Sequence, residues 1–345
     1  MTTFKKMAGK KMAGFAAGMI VATTASVSVM AADTTLTISS WAPPSHGINA
    51  IMWPKFIDMI EKATDGRVSA QIKYKLAPPP AQFDIVQDGA ADITWIFHGY
   101  NPGRFVATKM IELPGYEGSA EAASVAYWRA YEKFLASANE HKGVKLIGLM
   151  THGPGVLHSA TKVTSLDQIK GMKLRLGGGV SGDVGAALGA TGIRVPAPKV
   201  YETLSSKAAD GVMMPMEGKK GFKLTEVAQH TFQIPGGFYR GSFAVIMNED
   251  KFNSISEADQ KALEGVFGEA LSKMAGGVWD EIDTLGKQAS EATEGNSITM
   301  ASDADGAAYT ALAGPIIEKV IGEVSAKDID AKAVHAFIAA EMKAQ

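Results

Sequence analysis

The sequence contains no cysteine among its 345 residues. This absence excludes disulfide bridges, thiolate metal sites, cysteine nucleophiles and a lipid-modified N-terminal cysteine. An excess of one charge is also missing, because 34 Lys and Arg residues are scattered among 36 Asp and Glu residues without forming a basic stripe. A nucleic acid partner is therefore not expected. Since no disulfide can stabilise the chain, its hydrophobic residues, 46% of the total, must form the core.

The chain also lacks a long hydrophobic run beyond its first three dozen residues, and the N-terminal run is itself short. Four lysines between positions 5 and 11 precede apolar and small residues at 12–27, followed by a small-residue site at 29–31. This order is typical of a cleaved secretory signal peptide. A transmembrane anchor is the alternative, but a span needs about 20 strongly hydrophobic residues. We therefore expect residues 1–31 to be a signal peptide and the mature chain to be periplasmic.

Predicted strands and helices alternate along the mature chain. Residues 35–40 and 67–74 have strand patterns on either side of a helical pattern at 48–64, and together they make a βαβ unit. A second series of strands and helices occupies residues 165–215, and the chain is almost wholly helical from residue 256 onward. This alternation predicts an α/β fold with parallel sheets covered by helices.

A glycine-rich segment separates a predicted strand from a predicted helix in the second series. Gly177, Gly179 and Gly182 have the local spacing of a dinucleotide-binding fingerprint. The next strand, however, contains Arg194 and ends in proline, where a dinucleotide site needs an acidic residue for the ribose. We therefore expect no dinucleotide and no other cofactor. The N–H groups of the helix N-terminus nevertheless suit an anion.

The motifs around these glycines follow one another in a specific order. A Lys-Gly-x-Lys-x-Arg strand at 170–175 is followed by Ala-Leu-Gly-Ala at 187–190, Val-Tyr at 200–201 and Asp-Gly at 210–211. This order resembles the signature region of solute-binding proteins of tripartite ATP-independent periplasmic (TRAP) transporters, the C4-dicarboxylate-binding-like family. The resemblance extends across the mature chain.

The resemblance implies a two-lobed clamshell with a long C-terminal helix that spans both lobes. One lobe is expected to comprise residues 32–152 plus 243–282, and the other residues 153–242 plus 283–345, with the ligand cleft between them. The protein would capture a small organic carboxylate and deliver it to the permease subunits of a TRAP transporter.

Arg175 matches the arginine with which the family clamps the ligand carboxylate. A guanidinium suits this role because it is planar, always charged and able to donate two parallel hydrogen bonds, and backbone N–H groups near Gly177 add further donors. The alternative is a structural ion pair between Arg175 and Asp183 or Glu202.

The expected cleft departs from the family pattern at two places. Met214 stands where many members have an asparagine, and Gly155 lies where many have a second arginine. With fewer polar side chains to bind ligand oxygen atoms, the cleft favours a monocarboxylate with an aromatic, 2-oxo or aliphatic body over a dicarboxylate or a sugar acid. Glu217 is expected either to bind a ligand hydroxyl or amine or to lie at the surface. The other side chains predicted to contact the ligand are Trp41, Phe97, His98, His152, Met214, Phe238 and Tyr239.

The histidines show no recognisable metal-ligand spacing, so we expect no metal ion and assign hydrogen-bonding roles to His98 and His152. No motif assembles an activated nucleophile either. The sequence therefore predicts a binding protein and not an enzyme. An ABC-type or sensor-linked periplasmic binding protein for an organic acid is the alternative, and a periplasmic enzyme is less favoured.

Overall fold

The computed structural model describes residues 33–344, so the predicted signal peptide at 1–31 lies outside the described residues. Two mixed sheets form the framework. The strands are β1 Thr34–Ser40, β2 Val68–Tyr74, β3 Ile93–Phe97, β4 Lys145–Thr151, β5 Val156–Ser159, β6 Lys173–Leu176, β7 Thr191–Arg194, β8 Gly211–Met214, β9 His230–Gln233, β10 Ser242–Met247 and β11 Ser297–Met300. The first sheet has the order β2-β1-β3-β10-β4, and the second has the order β11-β9-β5-β8-β6-β7.

Helices cover these sheets. Shorter 3-10 and π turns occur between them, and one π turn at Ile48–Met52 leads into α1, whose first turn contains Pro54. The α-helices are α1 Trp53–Ala63, α2 Gln82–Gln87, α3 Ala120–Ala130, α4 Val180–Ala187, α5 Val200–Ser205, α6 Gly218–Gly221, α7 Leu224–Val227, α8 Glu249–Asn253, α9 Glu257–Glu264, α10 Glu269–Ala292, α11 Asp303–Ser325 and α12 Ala331–Lys343.

The expectation of purely parallel sheets was wrong. Strand β10 is antiparallel to both β3 and β4, and β5 is antiparallel to both β8 and β9. Alternating strands and helices fix the direction only of strands joined by a crossover within one sheet. Strand β10 enters the first sheet from the second, so that rule does not apply to it.

The chain passes between the sheets at two loops. Strand β4 ends in the first sheet at Thr151 and β5 begins in the second at Val156, whereas β9 ends at Gln233 and β10 begins back in the first sheet at Ser242. A third passage, from β10 in the first sheet to β11 in the second, runs through α8, α9 and α10. The lobe boundaries expected from the sequence stay a prediction.

Helix α10 is the long helix expected near the C-terminus. It packs against α3 and β4 beside the first sheet and against α6 and β11 beside the second. Its N-terminus is set by Gly268, whose φ of +66° separates α10 from the shorter α9. Within residues 33–344, no helix has the length and apolar character needed to cross a bilayer.

Candidate functional site

A cavity lies among residues of both sheets. Eight of the ten side chains predicted to contact a ligand line it, namely Trp41, Phe97, His152, Arg175, Gly177, Met214, Glu217 and Tyr239. The remaining lining residues were not among those predicted to contact a ligand: His46, Trp95, Tyr100, Ala197, Pro215, Phe222, Phe243 and Trp279.

Arg175 supplies the positive charge of the cavity wall. It belongs to β6 and is only 3% exposed. Its Nε donates a hydrogen bond to the backbone oxygen of Val195 at 2.8 Å, and Nη2 lies 3.4 Å from the hydroxyl of Tyr100. Within residues 33–344 it forms no ion pair with a carboxylate. A buried guanidinium without a counter-charge is costly, and an anion in the cavity would offset that cost.

The alternative ion pairs of Arg175 are excluded by the partners of the two acids. Asp183 lies 2.6 Å from Nζ of Lys319, and Glu202 lies 3.1 Å from Nζ of Lys199. Both acids are therefore already matched by lysines away from Arg175.

The glycine-rich loop after β6 brings the backbone close to the cavity. A Cβ atom at Gly177 would lie 3.0 Å from the ring of Phe97 and 3.9 Å from Nη1 of Arg175, so only glycine leaves this space open. The N-terminus of α4, however, already has an acceptor from the protein itself. The backbone N–H of Val180 donates to Oε2 of Glu112 at 2.8 Å, so the protein's own carboxylate occupies that position.

Stacked aromatic rings form an apolar wall. Trp41 and Trp95 stack with ring centroids 4.0 Å apart and an interplanar angle of 12°. Their indole N–H groups are already engaged, since Trp41 donates to the backbone oxygen of Trp95 and Trp95 donates to Oγ of Ser40, each at 3.0 Å. The two rings therefore present carbon surfaces to a ligand.

His152 contributes a neutral acceptor to the wall. Its Nδ1 lies 2.6 Å from the backbone oxygen of Gly153, which can only accept, so the proton is on Nδ1 and Nε2 carries a lone pair. Burial lowers the pKa of His152 to about 4, which keeps the ring neutral near pH 7. The hydroxyl of neighbouring Tyr239 donates to the backbone oxygen of Met213 at 3.1 Å.

Glu217 and His46 form a second polar group in the cavity. Oε2 of Glu217 lies 3.1 Å from Nε2 of His46, and the side chains are only 3% and 1% exposed. The backbone N–H of Ile48 donates to Nδ1 of His46 at 3.2 Å. The backbone N–H of Glu217 donates to Oδ1 of Asp283 at 2.7 Å, and burial raises the pKa of that aspartate.

His98 and Phe238 do not line this cavity, in contrast to the expectation from sequence. His98 bonds Oγ of Ser242 through Nδ1 and Nε2 of His141 through its own Nε2, each at 3.0 Å. Phe238 packs against Tyr309 inside the core. Neither residue belongs to a strand: His98 begins a 3-10 turn directly after β3, and Phe238 follows Gly236 and Gly237, whose φ values are +74° and +78°. A strand pattern therefore does not fix the direction of either side chain.

Comparisons with known proteins agree with this architecture. The family model described as bacterial extracellular solute-binding protein, family 7 (DctP), matches residues 39–323. A TRAP periplasmic solute-binding protein from Bordetella bronchiseptica, solved with bound (R)- and (S)-mandelate, is 39% identical over 90% of this chain and 99% of that one, with a TM-score of 0.87.

Two further relatives cover nearly the same length. A TRAP solute-binding protein from Rhodoferax ferrireducens T118, solved with copurified benzoate, is 25% identical over 90% of this chain and 98% of that one, with a TM-score of 0.84. The protein named outer membrane transporter protein TsaT, from Comamonas testosteroni, is 29% identical over 91% of this chain and 93% of its own length.

Proposed function

Because the chain belongs to the bacterial extracellular solute-binding proteins of family 7, we propose that its cavity captures an aromatic monocarboxylate through Arg175. Members of this family are the solute-binding components of TRAP transporters and pass their ligands to membrane permease subunits. The family match also favours a TRAP protein over the ABC-type alternative.

The observation that carries the proposal is the buried guanidinium of Arg175 without a carboxylate partner in the described part of the chain. A ligand carboxylate would receive charge-assisted hydrogen bonds from it, which are stronger than neutral ones. This arrangement explains why the arginine is retained in a cavity wall that is otherwise largely apolar.

The surrounding rings favour an aromatic body on that carboxylate. Trp41, Trp95, Phe97 and Phe243 offer faces with few free polar atoms, so the hydroxyl groups of a sugar acid or the second charge of a dicarboxylate would lose hydration there without compensation. The relatives solved with mandelate and benzoate support this class of ligand.

We further propose that residues 1–31 are removed on export to the periplasm, where the relatives with solved structures also occur. The mature protein would act as a binder without catalysis, its two lobes meeting at the cavity. Intact-mass measurement of the exported protein tests the first point, and a mass that includes residues 1–31 would contradict it.

A thermal-shift panel tests the ligand class. Benzoate, mandelate and phenylacetate should raise the melting temperature of the purified protein, because a ligand that binds only the native state stabilises it by mass action. Succinate, malate and hexuronates serve as matched negative ligands at the same concentration. A larger shift with a dicarboxylate or a sugar acid would contradict the proposal.

A further inference from the structure

The cavity has two polar groups in separate parts of its wall. Arg175 lies against Tyr100 and Gly177, whereas the carboxylate of Glu217 lies against His46, whose ring packs on Phe222 with centroids 5.0 Å apart. Within residues 33–344 no hydrogen bond or ion pair joins Arg175 to Glu217. A ligand held by its carboxylate at Arg175 can therefore meet Glu217 with a different part of its body.

Glu217 retains the capacity to accept a hydrogen bond. Nδ1 of His46 accepts the N–H of Ile48, and Nε2 of the same ring lies 3.1 Å from Oε2 of Glu217. Neither carboxylate oxygen of Glu217 receives a hydrogen bond of good geometry from residues 33–344. A carboxylate offers about four acceptor positions, so this buried group can accept a proton donor from the ligand.

We propose that Glu217, which lies beside His46, accepts a hydrogen bond from a hydroxyl group on the ligand at a position remote from the carboxylate. This inference rests on the proposed function and narrows it: the ligand is a hydroxylated aromatic monocarboxylate.

Titration calorimetry with a matched ligand set tests the inference. Phenylacetate is the parent, and 3-hydroxyphenylacetate and 4-hydroxyphenylacetate differ from it by one ring hydroxyl. The wild-type protein should bind at least one hydroxylated isomer about 10- to 100-fold more tightly than the parent, the range expected for a hydrogen bond to a charged group. In Glu217→Met, which keeps the approximate volume, this preference should disappear while the parent still binds.

Two further variants complete the test. Glu217→Gln keeps an acceptor oxygen without the charge and should show an intermediate preference. Glu202→Gln, an exposed glutamate on α5, is the matched control and should behave as wild type.

The outcomes separate this inference from the proposed function. Equal binding of parent and hydroxylated ligands by the wild type overturns the role of Glu217 but leaves aromatic acid binding intact. A preference that survives in Glu217→Met also overturns it, because the acceptor then lies elsewhere, for example at His152. Loss of parent binding in both Glu217 variants assigns Glu217 a structural role, and absence of any aromatic acid binding contradicts the proposed function itself.

Discussion

The guanidinium of Arg175 has hydrogen-bond partners within the described residues at Nε and at Nη2. Its Nε is fixed by the carbonyl of Val195, while Nη1 lies beside Gly177, where a side chain would fill the space. The hydroxyl of Tyr100 is fixed in turn by the N–H of Ala197 at 2.7 Å. The arginine is thus oriented before a ligand arrives, and preorganisation of this kind lowers the entropic cost of binding.

Replacing Arg175 should weaken binding of benzoate or mandelate severely. In Arg175→Ala the ligand carboxylate loses its counter-charge in a buried site, a loss of about 2–5 kcal/mol, or roughly 30-fold to several thousand-fold in Kd. Arg175→Lys keeps the charge but not the planar fork, so it should recover only part of that loss. Calorimetry measures both values.

Arg194→Ala is the matched control for these variants. Arg194 is exposed on the neighbouring strand β7, opposite Leu176 of β6, and lies outside the cavity. Its removal should leave Kd unchanged. Retained affinity in a folded Arg175→Ala protein would show that the carboxylate is bound elsewhere.

For single residues, the sequence predicts the chemical role of a side chain better than the direction in which that side chain points. Arg175 is identified by its place in an ordered series of motifs, and its type leaves few roles other than anion binding in a buried wall. His98 and Phe238 could not be separated from their neighbours Phe97 and Tyr239, because the backbone turns at both places and the sequence does not show which way each side chain points. His46 and Tyr100 were missed because tertiary packing alone brings them to Arg175 and Glu217.

Among the structural elements, the loop between β6 and α4 makes a close approach between chain segments of the two sheets. Gly178 has a φ of +106°, and a Cβ atom there would clash with the backbone oxygen of Gly99, which follows β3. The loop also carries Gly177 at the cavity. Its position therefore links the contact between the two sheets to the shape of the ligand site.

A pair of glycine substitutions separates this contact from backbone strain. Gly171 has a φ of +83°, and a Cβ atom added there would meet nothing within 4 Å, so Gly171→Ala should cost only the positive-φ strain, about 1–2 kcal/mol. Gly178→Ala adds the clash with Gly99 and should lower the free energy of unfolding further. If the displaced loop in Gly178→Ala makes the free energy of benzoate binding less favourable by about 1.4 kcal/mol, the Kd of this variant rises about tenfold.

Urea denaturation and calorimetry on both alanine variants measure these effects. Gly171→Ala should keep the wild-type Kd, because its strain lies at the other end of β6. Equal stability and equal affinity of the two variants would show that the loop tolerates a side chain and that the approach to Gly99 is not required.

The elements themselves were predicted unevenly. Strands with a clear apolar pattern, such as β1 and β2, lie close to their expected bounds at 35–40 and 67–74. Strands β5 and β9 have four residues each and no alternation long enough to distinguish them from loops. Because β5 runs antiparallel to both of its neighbours, missing these two strands also led to the wrong expectation of parallel sheets.

On the scale of the whole molecule, buried ionisable groups make folding depend on pH. Burial lowers the pKa of His141 and His158 to about 3 and that of His152 to about 4, from an ordinary value of 6.5. Burial raises the pKa of Glu112 from 4.5 to about 7. The histidines and the glutamate therefore act on stability in opposite directions.

The direction of each effect follows from proton binding. Between about pH 4.5 and 6.5 the unfolded chain binds protons at His141, His152 and His158 that the folded protein does not bind, so each histidine makes stability rise with pH. Glu112 is protonated in the folded protein and ionised in the unfolded chain over the same range, so it makes stability fall with pH. Burial also lowers the pKa of His98 and raises that of Asp283, so these two groups act in opposite directions as well.

For His141, His152, His158 and Glu112 taken together, about two protons are taken up on unfolding between pH 4.5 and 6.5, three by the histidines minus one at Glu112. The free energy of unfolding should then increase by up to about 2.7 kcal/mol per pH unit in this range, since one proton corresponds to 1.36 kcal/mol per unit. His158→Gln should reduce this slope by about one proton, and Glu112→Gln should increase it by the same amount. Urea denaturation at several pH values measures the slopes, and a flat profile in all three proteins would contradict the neutral state assigned to the buried histidines.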